Sequence, residues 1–153
     1  MIWLVLLFQA NTLIYAQNPS FVQLHKAPEY FVEAGEQQYI SLSFLIKEGY
    51  HIQASQVKDE NLIPTVLSFD VLDSLKLGDP VFPKTVEFKM KGQKTTWSVY
   101  KDILEINVPV KIIKPGEKEV FSINGKLYYQ ACDDYKCYFP RNLKFIMKIN
   151  IKK

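Results

Sequence analysis

The stretch LKFIMKINIKK, residues 143–153, alternates. Leu143, Phe145, Met147, Ile149 and Ile151 fall on one side of an extended chain, and Lys144, Lys148, Asn150 and Lys152 on the other. Successive side chains of a strand point to opposite faces, so this run buries one face and wets the other. The same period runs through LEINVPVKI (104–112), where Leu104, Ile106, Val108, Val110 and Ile112 share a face. It runs again through YISLSFLIK (39–47), with Ile40, Leu42, Phe44 and Ile46. Shorter candidates lie at 21–25, 65–71 and 86–90. In EVFSINGKLYYQAC (119–132) the apolar phase Phe121, Ile123, Leu127, Tyr129 continues across Asn124-Gly125. That pair is able to turn a hairpin, but the unbroken phase predicts one long strand with a bulge at Gly125.

No segment keeps a helical period over ten residues. Seven or eight strands, each with one apolar face, predict an all-β, immunoglobulin-like two-sheet β-sandwich. Pro109 cannot donate a ladder hydrogen bond, which places its strand at a sheet edge or Pro109 at a bulge. Residues 75–84 and 91–100, with their Gly, Pro and polar residues, read as loops.

The length of 153 residues fits one domain. The first sixteen residues, MIWLVLLFQANTLIYA, carry no charge and end on a small residue, Ala16. They read as a signal peptide (1–16), leaving 17–153 as the domain. No later apolar stretch is long enough for a membrane helix, which needs about 20 residues. Export permits a disulfide to persist. The net charge is +3, and of 19 basic residues only Arg141 is an arginine. Spread lysines and a lone arginine exclude a nucleic-acid surface, which gathers basic residues and favours arginine.

Both cysteines lie in YYQACDDYKCYFPRN (128–142). Three chemistries compete for Cys132 and Cys137. Zinc needs four ligands, and His25 and His51 are the only histidines and are far apart in sequence, so no metal is expected. A structural brace is plausible, although so short a loop removes little unfolded-state entropy. The third is redox exchange. Asp133 and Asp134 follow Cys132 and disfavour a thiolate there, whereas Lys136 precedes Cys137 and favours one. Thiolate is the attacking and leaving form, so charge nominates Cys137 as the exchanging sulfur and Cys132 as the resolving one.

The segment YYQACDDYKCYFP resembles the cysteine motif of the N-terminal periplasmic domain of the thiol:disulfide interchange protein DsbD. Tyr129, Gln130, Ala131, Cys132, Cys137, Tyr138 and Pro140 carry the match, and Phe139 stands where many members have a proline. GYHIQASQVKDENLIPTVLSF (49–69), GDPVFPKTVEFKM (78–90) and EINVPVKI (105–112) are similar to further family segments in the same order. The resemblance covers about residues 24–148. It implies an immunoglobulin-like fold bearing a redox disulfide that takes electrons from a thioredoxin-like donor and passes them to periplasmic disulfide carriers. It implies no cofactor, and a thiol–disulfide oxidoreductase of the protein-disulfide reductase type. The second cysteine of the motif, here Cys137, would form the mixed disulfides. The family also shields its cysteines with an aromatic-bearing cap loop. The matching region is about 91–100, with Trp97 or Tyr100 as the covering ring. Tyr129, Asp133, Lys136 and Tyr138 are further candidates for tuning the pair, and His51 reads as a hydrogen-bonded strand residue. The rival reading is a non-catalytic extracytoplasmic binding module with a structural disulfide.

Overall fold

The computed structural model describes residues 20–114 and 120–152. The expected signal peptide lies outside the described residues. Among the described residues there is no helix, and twelve strands follow one another. They are β1 (Val22–Leu24), β2 (Glu29–Glu33), β3 (Gln37–Ile46), β4 (His51–Gln53), β5 (Val66–Phe69), β6 (Leu75–Leu77), β7 (Val86–Lys89), β8 (Thr96–Tyr100), β9 (Ile103–Ile112), β10 (Val120–Tyr129), β11 (Ala131–Cys132) and β12 (Arg141–Lys152).

The long alternating strands anchor two different sheets, β3 and β9 in one and β10 and β12 in the other. One sheet runs β1-β3-β9-β6, the other β2-β12-β10-β5. Leu104, Ile106, Val108, Val110 and Ile112 all point inward from β9, and Phe145, Met147 and Ile149 from β12. The inner faces meet in one core, where Phe44 of β3 packs edge-on against Phe145 of β12 at 5.7 Å between ring centroids. Each such side chain, taken from water, contributes about 1.5–3 kcal/mol. The fold is the all-β sandwich that the alternation predicts. Within its second sheet β2 runs parallel to β12, a pairing no local pattern marks.

Three local expectations change. The strand β10 has no bulge: its register against β12 is unbroken from Val120↔Asn150 to Tyr129↔Arg141. Gly125 is there because the Phe145 ring occupies the space that a Cβ would take. Pro109 sits inside a sheet, between β3 and β6, at the point where the β6 ladder ends. The Gly78 N–H donates to the Pro109 carbonyl at 2.8 Å, and pairing resumes between Val81 and Asn107. Three steps of one chain thus span two of the other, so the bulge that the proline requires lies in its partner. Finally, the segments expected as loops hold β6 and β8. Val99 and Tyr100 are both buried, on opposite faces of a sheet, so β8 shows no alternation to read.

Those residues belong to a third sheet, β11-β4-β8-β7. Ile52, Tyr100 and Ala131 turn one face of it into the main core. The other face carries His51, Gln53 and Cys132. Met90, Val99 and Cys132 are buried without joining the main core.

Candidate functional site

Past Gln130 the chain leaves the second sheet and enters the third as β11, where Cys132 lies opposite His51. It then turns over residues 133–136 and returns antiparallel to itself. The Asp133 N–H donates to the Lys136 carbonyl at 2.9 Å and the Tyr138 N–H to the Ala131 carbonyl at 2.8 Å. Cys132 and Cys137 therefore face each other as a non-hydrogen-bonded pair, where side chains of an antiparallel ladder come closest. They are bonded, with S–S 1.97 Å and Cα–Cα 3.9 Å. The four-residue insert is the length of this turn.

Asp133 builds the turn. Its Oδ1 accepts the N–H groups of Tyr135 and Lys136, both at 2.8 Å, and its Oδ2 accepts the Tyr138 hydroxyl at 2.7 Å. Burial works against the charge, but these bonds overcome it and hold the carboxyl below its usual range. The same bond, with desolvation second, pushes the Tyr138 phenol up to about 12. The Tyr138 ring packs on Phe21 at 4.7 Å and lies near Tyr50 at 5.9 Å, which seats the hairpin on the core's rim. Lys136 Nζ lies 5.0 Å from the centre of the same ring.

The tip following β7 is fastened to this hairpin. Lys91 N–H donates to the Asp134 carbonyl at 2.9 Å, and Lys91 Nζ lies 3.3 Å from Asp134 Oδ2 and 3.1 Å from the Tyr135 hydroxyl. Both acids that were expected to bias Cys132 are thus engaged, one by the turn and one by a lysine. What separates the sulfurs is burial. Cys132 is 0% exposed, whereas Cys137 is only half-buried. A buried sulfur resists becoming a thiolate because charge is costly away from water.

The other candidates divide by face. Trp97 pairs with Phe88 across β7 and β8, on the face that carries Cys132, and is half-buried. Tyr100 lies opposite Ile52 and turns the other way. Its ring stacks on Phe82 at 5.8 Å and its hydroxyl meets Ser55 Oγ at 3.0 Å, so it does not cover the disulfide. Tyr129 is buried in the main core. Sequence reasoning missed Gln53, whose Nε2 donates to Cys132 Sγ at 3.2 Å. Once 51–53 is known to be a strand, His51 and Gln53 must share a face across Ile52. Without that knowledge three residues offer no periodicity.

His51 packs against the Phe88 ring at 3.9 Å between centroids. Burial, and then the charge of Lys101, lower its pKa to about 4, against the opposing pull of Asp134 and Asp133. The unfolded chain, titrating near 6.5, binds the proton more readily. Stability from this group is therefore complete above about pH 6.5, falls as pH drops toward about 4, and then levels. The full shift corresponds to about 3 kcal/mol, and solvent screening reduces it to about 2 kcal/mol. Urea midpoints of the wild type should fall over that window relative to His51→Phe. Parallel pH profiles for the two proteins would show that His51 carries no such linkage.

Residues 18–148 match the model of a family described as thiol:disulfide interchange protein DsbD, N-terminal. The chain belongs to this family. Membership, together with the bonded Cys132–Cys137 pair, makes it a thiol–disulfide exchange domain. Among solved structures, the N-terminal periplasmic domain of ScsB from Proteus mirabilis superposes with a TM-score of 0.53 at 13% identity. That alignment covers 76% of this chain and 42% of the other. It shows a shared fold. The N-terminal domain of Neisseria meningitidis DsbD in the reduced form gives a TM-score of 0.49 at 23% identity, covering 72% of this chain and 76% of that one. No curated protein matches this sequence.

Proposed function

We propose that this chain is an exported domain that relays electrons between a thioredoxin-like donor and periplasmic disulfide carriers. Membership of the DsbD N-terminal family supports it, as does the signal-peptide character of residues 1–16. The periplasmic origin of the ScsB domain supports the location. The observation that carries the reading is the difference in burial across one disulfide, which offers Cys137 to a partner and keeps Cys132 inside. A depression of about 330 Å3 beside Cys137 is lined by Gln130, Lys136, Tyr138, Phe139 and Pro140. The Phe139 ring beside it is 91% exposed and Tyr135 is 70% exposed, the aromatic type that anchors protein contacts.

In the reaction a donor thiolate attacks Cys137 Sγ, and the electron pair of the old S–S bond leaves on Cys132. The donor's second thiol, once deprotonated, attacks the mixed disulfide, and Cys137 leaves as a thiolate. The donor is oxidised to its disulfide, and the pair takes up protons to become a dithiol. A carrier disulfide then reoxidises it by the reverse steps.

Equilibration in glutathione or dithiothreitol buffers tests this. The pair should reduce reversibly, at a potential above about −300 mV. The sandwich should survive reduction, since so short a loop contributes roughly 2 kcal/mol. Resistance to glutathione, or a reduced protein that is unfolded at ambient temperature, would favour a structural brace.

A further inference from the structure

Three buried side-chain polar atoms have no hydrogen-bond partner among the described residues: His51 Nε2, Gln53 Oε1 and Trp97 Nε1. All three side chains belong to the face of the third sheet that carries Cys132. Buried polar groups are nearly always paired, and leaving one unpaired costs about 1–3 kcal/mol. Three on the one sheet face that carries the disulfide mark a polar surface left partly unpaired, and only Gln53 among them reaches the sulfurs.

Gln53 is the member in contact with the sulfurs. It is fully buried, and its Nε2 lies 3.2 Å from Cys132 Sγ and 3.9 Å from Cys137 Sγ. Its backbone is held on both sides. The N–H donates to the Gln130 carbonyl at 3.2 Å, and the carbonyl accepts the Thr65 hydroxyl at 2.5 Å. A disulfide sulfur has no proton, so only the N–H side of the amide is of use to it, and Oε1 is left idle. Attack at Cys137 breaks the S–S bond and puts a negative charge on Cys132, which is closed to water. A donor already in place needs no reorganisation as that charge develops.

We propose that Gln53 is the hydrogen-bond donor that stabilises the thiolate released on Cys132, and that its idle Oε1 accepts the Cys132 thiol proton once the pair is reduced. An amide suits all three states of one sulfur. It donates to a disulfide or a thiolate and, after turning over, accepts from a thiol. A lysine has no acceptor for the thiol, and a carboxylate has no donor for the disulfide or the thiolate. The inference rests on the exchange reading above.

The test uses the full chain as wild type, Gln53→Met and Gln53→Glu, with reduced thioredoxin as the attacking thiol. Gln53→Met should exchange about tenfold more slowly, as expected for the loss of a hydrogen bond to a charged group. Gln53→Glu should be slower still, because a carboxylate repels the developing charge. The same substitutions in a Cys137→Ala background leave Cys132 as the single thiol. Its thiolate absorbance should then titrate higher by about one pH unit in Gln53→Met, which a merely structural role would not produce. If either variant fails to fold, the wild type still decides. The Gln53 side-chain amide resonances should shift on reduction, and their constancy would overturn the proposal. Exchange within twofold of wild type with an unmoved Cys132 titration would overturn it as well. A wild type that does not exchange at all removes the functional reading, while the Cys132 titration still reports on Gln53.

Discussion

Cys132→Ala will trap a thioredoxin-like partner as a lasting mixed disulfide, and Cys137→Ala will trap little. The expected excess is at least about tenfold, since access and thiolate formation act in the same direction. In Cys132→Ala the half-buried Cys137 remains, beside the exposed Phe139 ring. The sulfur that would resolve the conjugate is gone. In Cys137→Ala the remaining sulfur belongs to a residue that is buried opposite His51. The partner should lack its own resolving cysteine and be supplied with an activated disulfide, and conjugates are counted on non-reducing gels. Equal trapping would remove the assignment of roles, and trapping by Cys137→Ala alone would reverse it.

The proposed roles of the two sulfurs rest on burial in the fold rather than on the charges that stand beside them in sequence. Sequence neighbours made Asp133 and Asp134 look like charges aimed at Cys132. In the fold Asp133 spends its carboxylate on the turn, and Asp134 meets Lys91 from a distant strand pair. Adjacency in a chain does not say where a charge points. The proposed assignment draws on burial instead, and Cys132 is buried within a third sheet that local periodicity does not announce. Its strand β4 has three residues, all buried, so it has no wet face against which alternation could appear. The long strands were legible because each has one dry side and one wet side over ten or more residues. Gln53 was invisible for the same reason as β4. It lies 79 residues from Cys132, and only the pairing of β4 with β11 brings them together.

The candidate cap shows the same division. The region 91–100 was placed from family resemblance, and the tip at Lys91 does touch the cysteine hairpin. Which of the two aromatic residues shares the sheet face of Cys132 follows from strand phase alone. Trp97 and Tyr100 are three residues apart, an odd step, and therefore lie on opposite faces of β8. Treating the segment as a loop hid that parity.

Gly125→Ala will destabilise the sandwich by about 2–3 kcal/mol, although replacing a strand glycine ordinarily helps by about 0.5–1 kcal/mol. Gly125 lies mid-strand in β10, between Phe145 of β12 and Phe69 of β5. A Cβ there would stand 2.3 Å from Phe145 Cζ and 2.4 Å from Cε2. No real contact is that short, so the ring must move. It has little room, because it is buried and packs edge-on against Phe44 at 5.7 Å and Phe69 at 6.3 Å. The ring fills the gap that the glycine leaves, and each residue makes sense only with the other. Phe145→Ala alone should cost about 3–5 kcal/mol as a cavity. In the double variant the new methyl enters space the ring has vacated, so the two costs should fall short of their sum by about 1–2 kcal/mol. Urea denaturation of the four proteins measures this directly. Exchange at Cys137 should persist in Gly125→Ala wherever the fold does, since the hairpin hangs from the third sheet. Strict additivity, or a Gly125→Ala protein as stable as wild type, would mean that the ring slides aside freely and that this glycine is not held by packing.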